Sequence, residues 1–186
     1  MRRIGLYGGT FDPPHIGHLL IAEETRLLLD LDEIWFIVAA TPPHKEGTSK
    51  TENRVAMVDQ ATKHNPYFKV CTIELEREGK SYTIDTIRTL KKKYPNEDFY
   101  FLLGADMIEY LPKWYKIDEL VKEIPLIGVR RSGYCVETAY PVEIVDIPMF
   151  DVSSTLLRER LCNRQSVRYY IPELVLKYIK EHRLYE

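Results

Sequence analysis

The densest chemistry in this sequence lies in Gly8-Gly9-Thr10-Phe11-Asp12-Pro13-Pro14-His15-Ile16-Gly17-His18. Two adjacent glycines let the backbone approach a ligand closely, because no Cβ stands in the way. Apolar residues then recur at helical spacing, so the histidines stand where a helix begins, with N–H groups and the positive end of its dipole exposed. His15 and His18 are three residues apart and share one face of that first turn. Each can donate a hydrogen bond to a phosphate oxygen. A strand-to-helix turn with two surface histidines would need no ligand; the added glycines and the Thr10 hydroxyl are what point to phosphate.

Other residues of chemical interest follow the ends of predicted strands. Lys45 stands on a long loop and can reach a phosphate, or simply be solvated. Ser153-Ser154-Thr155 opens a helix with capping residues, and Arg158 lies one turn further in. Gly104-Ala105-Asp106 closes an apolar strand, where Asp106 could equally cap the next helix. Two other motifs fail on spacing. Gly79-Lys80-Ser81 resembles the end of a P-loop, but residue 74 is Glu where that motif needs glycine. His15 and His18 lack the glutamate and the third ligand of a helical zinc site.

Positioning these residues requires a scaffold, and the sequence spells one out. Short strands are predicted over 3–7, 34–39, 68–73, 99–103, 126–129 and 142–147. Helices are predicted from Ile16 to about Leu29, from a Thr51 cap, over 83–93, from about Ala105, from Ser154, and from Pro172 towards His182. The run IWFIVA is apolar on both faces, as buried parallel strands are. Alternating strands and helices give an α/β fold with a doubly wound, Rossmann-like parallel sheet, whose ligands sit beyond the carboxyl ends of the strands. The 186 residues suit a single domain, 1–186, with the last helices, about 153–186, packing onto the sheet. Loops are expected near 40–50, 74–82 and 131–141.

Composition narrows the class. Lys plus Arg is 26 against 28 for Asp plus Glu, a net charge of -2, so nucleic acid is not an expected partner. Cys71, Cys135 and Cys162 are scattered and odd in number, which suits a reducing compartment. The apolar runs are far short of the ~20 residues of a membrane span, and the N-terminal one is too short for a cleavable signal. A cytoplasmic protein with no membrane association is expected, self-association being left open.

The stretch from Gly8 to His18 resembles the (T/H)xGH signature of the nucleotidylyltransferase superfamily. Pro42-Pro43-His44-Lys45, Ser81-Tyr82-Thr83-Ile84-Asp85-Thr86, Gly104-Ala105-Asp106 with Leu111 and Trp114, and Val152 to Arg158 narrow the resemblance to the bacterial nicotinate mononucleotide adenylyltransferases. Arg130-Arg131-Ser132-Gly133 departs from the family's usual Arg-Pro-Gly. The resemblance implies adenylyl transfer from ATP to nicotinate mononucleotide, giving deamido-NAD and pyrophosphate with Mg²⁺ carried mainly by the ATP phosphates. It implies that Gly8, Gly9, Thr10, Phe11, His15, His18, Gly104, Asp106, Ser153, Ser154 and Arg158 hold ATP. Of these, His15, His18 and Arg158 would be catalytic. Lys45, Tyr82, Thr83 and Trp114 would hold the mononucleotide, with no protein metal site. A related transferase of the pantetheine-phosphate type, or a non-catalytic nucleotide-binding module, remains as the alternative. A phosphate nucleophile is already largely ionised at neutral pH, so no general base is needed.

Overall fold

Among the described residues the apolar runs become six strands, and every pairing between them is parallel. The computed structural model describes residues 1–40, 49–77, 81–131, 138–148 and 150–186. In chain order the strands are β1 (Arg3–Gly9), β2 (Glu33–Val38), β3 (Phe68–Cys71), β4 (Asp98–Gly104), β5 (Leu126–Arg131) and β6 (Val142–Ile147). The helices are α1 (Ile16–Leu28), α2 (Thr51–Thr62), α3 (Thr83–Lys93), α4 (Ala105–Tyr110), α5 (Ile117–Glu123), α6 (Ser154–Cys162) and α7 (Glu173–Glu181). The sheet order is β3-β2-β1-β4-β5-β6, so the chain reverses its direction of travel between β1 and β4. At such a switch point the loops after the two central strands splay apart and leave a crevice.

Side chains alternate across the sheet with period two. Ile4, Leu6, Ile37, Phe101 and Leu103 point to one face, where Ile84, Ile87 and Leu90 of α3 and Leu120 of α5 cover them. Tyr7, Phe36, Val38, Leu102 and Val129 point to the other, beneath Ile21 and Ala22 of α1 and Val58 of α2. A third cluster ties Met57 of α2 to Leu157 of α6 and to Val175 and Ile179 of α7. The last two helices are therefore anchored by apolar contact to the helix that follows β2.

Three local readings change. The strand expected over 68–73 ends at Cys71, and a short 3-10 turn, Ile73–Glu76, replaces its last part. Thr51 is the first residue of α2, not its cap; its hydroxyl donates to the Ala40 carbonyl and accepts from Arg54. The helix expected from Ala105 is interrupted by a 3-10 turn at Leu111–Lys113, and α5 follows as a separate element. Among the described residues no helix is long and apolar enough to cross a membrane.

Candidate active site

The crevice at the switch point begins with β1. Gly8 and Gly9 end that strand, and Gly104 ends β4 beside it. A Cβ at Gly9 would stand 2.7 Å from the Phe11 ring, so glycine is required there for the turn to fold back on itself. Phe11 adopts a φ of 51°, the left-handed region that non-glycine residues rarely occupy. Its ring is buried between Tyr7, Phe36 and His18.

His15 is the N-cap residue of α1 and His18 is the third residue of the helix. Their rings stack with centroids 3.6 Å apart. The His15 backbone N–H donates to His18 Nδ1 at 3.1 Å. An Nδ1 that accepts carries no proton, so the neutral His18 ring holds its proton on Nε2 and can donate only from there. His15 is buried, and burial pushes its pKa down to about 4, so it is neutral at physiological pH. Its Nδ1 is buried without a hydrogen-bond partner among the described residues. The expectation that α1 presents unused N–H groups holds only in part, because Ile16 N–H donates to the Tyr170 carbonyl at 2.8 Å.

The start of α6 is fastened to the same loop. Ser153 caps the helix by accepting from Leu156 N–H at 3.2 Å. Ser154 Oγ donates to the Pro13 carbonyl at 2.9 Å, and Arg158 Nη1 donates to the Asp12 carbonyl at 2.7 Å. The two predicted phosphate elements, 141 residues apart in sequence, are thus joined by direct hydrogen bonds. Gly17 makes the fit possible: a Cβ there would crowd both the His15 ring and Val152, at 3.1 Å each.

Asp106 lies in the first turn of α4, with Gly104 as the N-cap, so it is not the cap residue. A Cβ at Gly104 would lie 2.8 Å from Asp106 Oδ1. The remaining candidates form a second group. Tyr82 is the N-cap of α3 and Thr83 its first residue. The Tyr82 ring packs on that of Tyr115 at 4.5 Å, and Trp114 meets Phe101 of β4 edge to face at 6.0 Å. A Cβ on Gly8 would come within 3.2 Å of the tip of the Phe101 ring. Phe101 therefore borders both Gly8 and Trp114. Lys45, with Pro42 to His44, lies outside the described residues.

Residues 6–160 match the family described as cytidylyltransferase-like. A protein of Bacillus subtilis (strain 168), nicotinate-nucleotide adenylyltransferase, is 53% identical over 188 aligned residues that cover all of both chains. A probable nicotinate-nucleotide adenylyltransferase of Oceanobacillus iheyensis is 56% identical, over all of this chain and 97% of its own. The chain belongs to the nicotinate-nucleotide adenylyltransferase family. Among solved structures, the nicotinic acid mononucleotide adenylyltransferase of Plasmodium falciparum complexed with NaAD superposes with a TM-score of 0.85. It is 25% identical and is covered to 98%, against all of this chain.

The sequence reading of this nicotinate-nucleotide adenylyltransferase fold gave no role to four residues that lie at or beside the candidate site, although the Leu184-Tyr185 ending resembles that of the family. Tyr115 is the ring that meets Tyr82. Asp12, Arg54 and Tyr185 are bonded to one another or to the glycine-rich loop. Arg54 did leave a signal. It falls on the buried stripe of α2 with Met57, Val58 and Thr62, where an arginine is out of place unless its charge is used.

Proposed function

We infer that the chain transfers the adenylyl group of ATP to nicotinate mononucleotide, giving deamido-NAD and pyrophosphate. A phosphate oxygen of the mononucleotide forms a bond to the α-phosphorus, the bond from that phosphorus to the β-bridging oxygen breaks, and pyrophosphate leaves with the electron pair. No covalent enzyme intermediate and no base are required; positioning and charge stabilisation suffice. The observation that carries the reading is the direct bonding of the α6 start to the loop that precedes the histidine pair. These bonds gather a glycine-rich loop, the starts of two helices, two histidines and an arginine in one region.

Within it, His18 Nε2–H would donate to the α-phosphate as charge shifts towards the leaving group. His15, neutral and with an unsatisfied buried nitrogen, would stand beside it. The Gly9–Phe11 backbone and the Thr10 hydroxyl would hold phosphate, with Gly8 making room. Arg158 would take the β- and γ-phosphates. The Ser153 and Ser154 hydroxyls are already used in capping and in the bond to Pro13, so their backbone N–H groups are what they bring to a phosphate. Gly104 and Asp106 would receive the adenosine, Asp106 by accepting from the ribose. Lys45, Tyr82, Thr83 and Trp114 would hold nicotinate mononucleotide, the ring on Trp114 and the carboxylate at the start of α3.

Magnesium would arrive on the ATP phosphates. Such an ion keeps several of its waters and binds mainly through substrate phosphates. When bound it neutralises phosphate charge. The thiols of Cys71 and Cys162 are unpaired, which supports a cytoplasmic setting. Pyrophosphate release tests the assignment, with ATP, Mg²⁺ and either nicotinate mononucleotide, nicotinamide mononucleotide or a pantetheine phosphate. Release is expected to be fastest with nicotinate mononucleotide; equal or faster release with the pantetheine phosphate would overturn the reading.

A further inference from the structure

Behind the glycine-rich loop lies a buried polar network. Arg54 is 1% exposed, and its five N–H groups reach five oxygens. Nε donates to the Ser49 carbonyl at 3.1 Å, and Nη1 to the carbonyls of Ala39 at 2.7 Å and Thr10 at 3.1 Å. Nη2 donates to the Ala40 carbonyl at 3.2 Å and to Thr51 Oγ1 at 2.9 Å. These bonds gather the end of β2, the start of α2 and the loop after β1 around one guanidinium. Asp12, 3% exposed, completes the circuit. Its Oδ2 accepts from Ser49 N–H at 3.0 Å, its Oδ1 accepts a short bond from the Tyr185 hydroxyl, and its carbonyl accepts from Arg158.

Burying an arginine and an aspartate is expensive, and apolar residues of similar size would stabilise a core as well or better. The network therefore calls for an account beyond stability, and its endpoints supply one. Its bonds to the Thr10 carbonyl and to Asp12 end on either side of Phe11, which has a left-handed φ of 51°. Backbone held in so sparsely populated a region persists only when its surroundings over-determine it. The Thr10 carbonyl is fixed on one side of Phe11, and the Asp12 carboxylate and carbonyl on the other.

We propose that Arg54, Asp12 and Tyr185 are positioning residues of the transfer site: they hold the 10–12 backbone in the shape that meets the transferring phosphate, and through the Asp12 carbonyl they aim Arg158. The assignment rests on the adenylyl-transfer reading above and goes beyond it, since none of the three is placed on substrate. Tyr185 acts from α7's side of the molecule, 173 residues along the chain from Asp12.

The test compares Tyr185→Phe, which removes one hydroxyl, with Arg54→Lys and Arg54→Gln. Thermal unfolding is followed first, so that kinetics are read at a temperature where each variant is folded. Tyr185→Phe is expected to lower kcat by about tenfold, because a small misplacement of phosphate-binding backbone is felt in the chemical step. The KM for nicotinate mononucleotide should stay within about twofold, the pyridine end being held by other bonds. Arg54→Lys should retain more kcat than Arg54→Gln, since the charge survives and the fork does not. A folded Tyr185→Phe with wild-type kcat would overturn the proposal even if Arg54→Gln fails to fold. So would a loss falling equally on kcat and on the mononucleotide KM. A wild-type protein that releases no pyrophosphate would instead sink the underlying reading, before any variant is compared.

Discussion

The two ends of the crevice are built in different ways. At the end proposed to hold phosphate, side chains bond to backbone: Arg54, Ser154 and Arg158 each donate to carbonyls of the loop between β1 and α1. At the end proposed to hold the pyridine ring, rings meet rings: Tyr82 packs on Tyr115 and Trp114 on Phe101. Hydrogen bonds are directional and fix a donor to within a few tenths of an ångström, whereas ring contacts fix a plane and leave some freedom within it. The first kind suits a site where charge moves along one line. The second suits a site that must recognise a flat heterocycle and read one substituent at its edge. Catalytic power should therefore concentrate at the first end and discrimination at the second.

The sharpest break in that comparison is His18→Ala. It should lower kcat by on the order of 10²–10³-fold, as loss of an oxyanion donor does, and move the ATP KM far less. Steady-state kinetics decide; activity within about threefold of wild type would remove His18 from the chemistry. His15 gives an effect of intermediate size, in stability. Its folded pKa is about 4, lowered by burial from 6.5. The unfolded chain therefore takes up a proton near pH 6.5 that the folded chain refuses until about pH 4. Stability falls as pH drops through that window, by about 3 kcal/mol at most. Urea midpoints at pH 7, 5.5 and 4.5 should fall less steeply for His15→Gln than for wild type, and parallel curves would show that His15 is not the buried neutral group. The smallest effect belongs to the pyridine end. Wild type should favour nicotinate over nicotinamide mononucleotide by about 10²-fold in kcat/KM. Thr83→Val should narrow that ratio by about tenfold. Trp114→Ala should cost both substrates alike, because stacking does not read the carboxylate. An unchanged ratio in Thr83→Val would move the discrimination elsewhere.

Much of this architecture could be read beforehand, for physical reasons. Strands buried on both faces announce themselves as unbroken apolar runs, so IWFIVA and FYFLL could hardly be anything else. Edge strands and short helices carry weaker signals. β3 stops at Cys71 where a turn takes over, and α5 spans only seven residues behind Lys116, whose φ of 54° no pattern reveals. The candidate site divides in the same way. Its local part, from Gly8 to His18, was legible because turn, helix start and histidines are contiguous. Its distant part was not: the bonds from Arg54, Tyr185 and Arg158 to residues 10–12 cross 44, 173 and 146 positions. No spacing rule spans such gaps. The motif ending in Arg158 pointed to that side chain and not to its partner, and the arginine on the buried stripe of α2 asked a question without answering it.

The bond between Tyr185 and Asp12 also sets a timetable. Chains leave the ribosome at about 5–20 residues per second, so the 173 positions between these residues represent on the order of 10–30 s of synthesis. β1 and its loop emerge early, pair with β2 and β4 as those appear, and can fold around the first histidine pair. The carboxylate of Asp12 must wait for its hydroxyl partner. A nascent chain halted before α7 would carry the sheet, the histidine motif and the Arg54 bond to Thr10, but not the hydroxyl that closes on Asp12. Competence to bind nucleotide and competence to turn it over would then be acquired at different moments in the protein's own making.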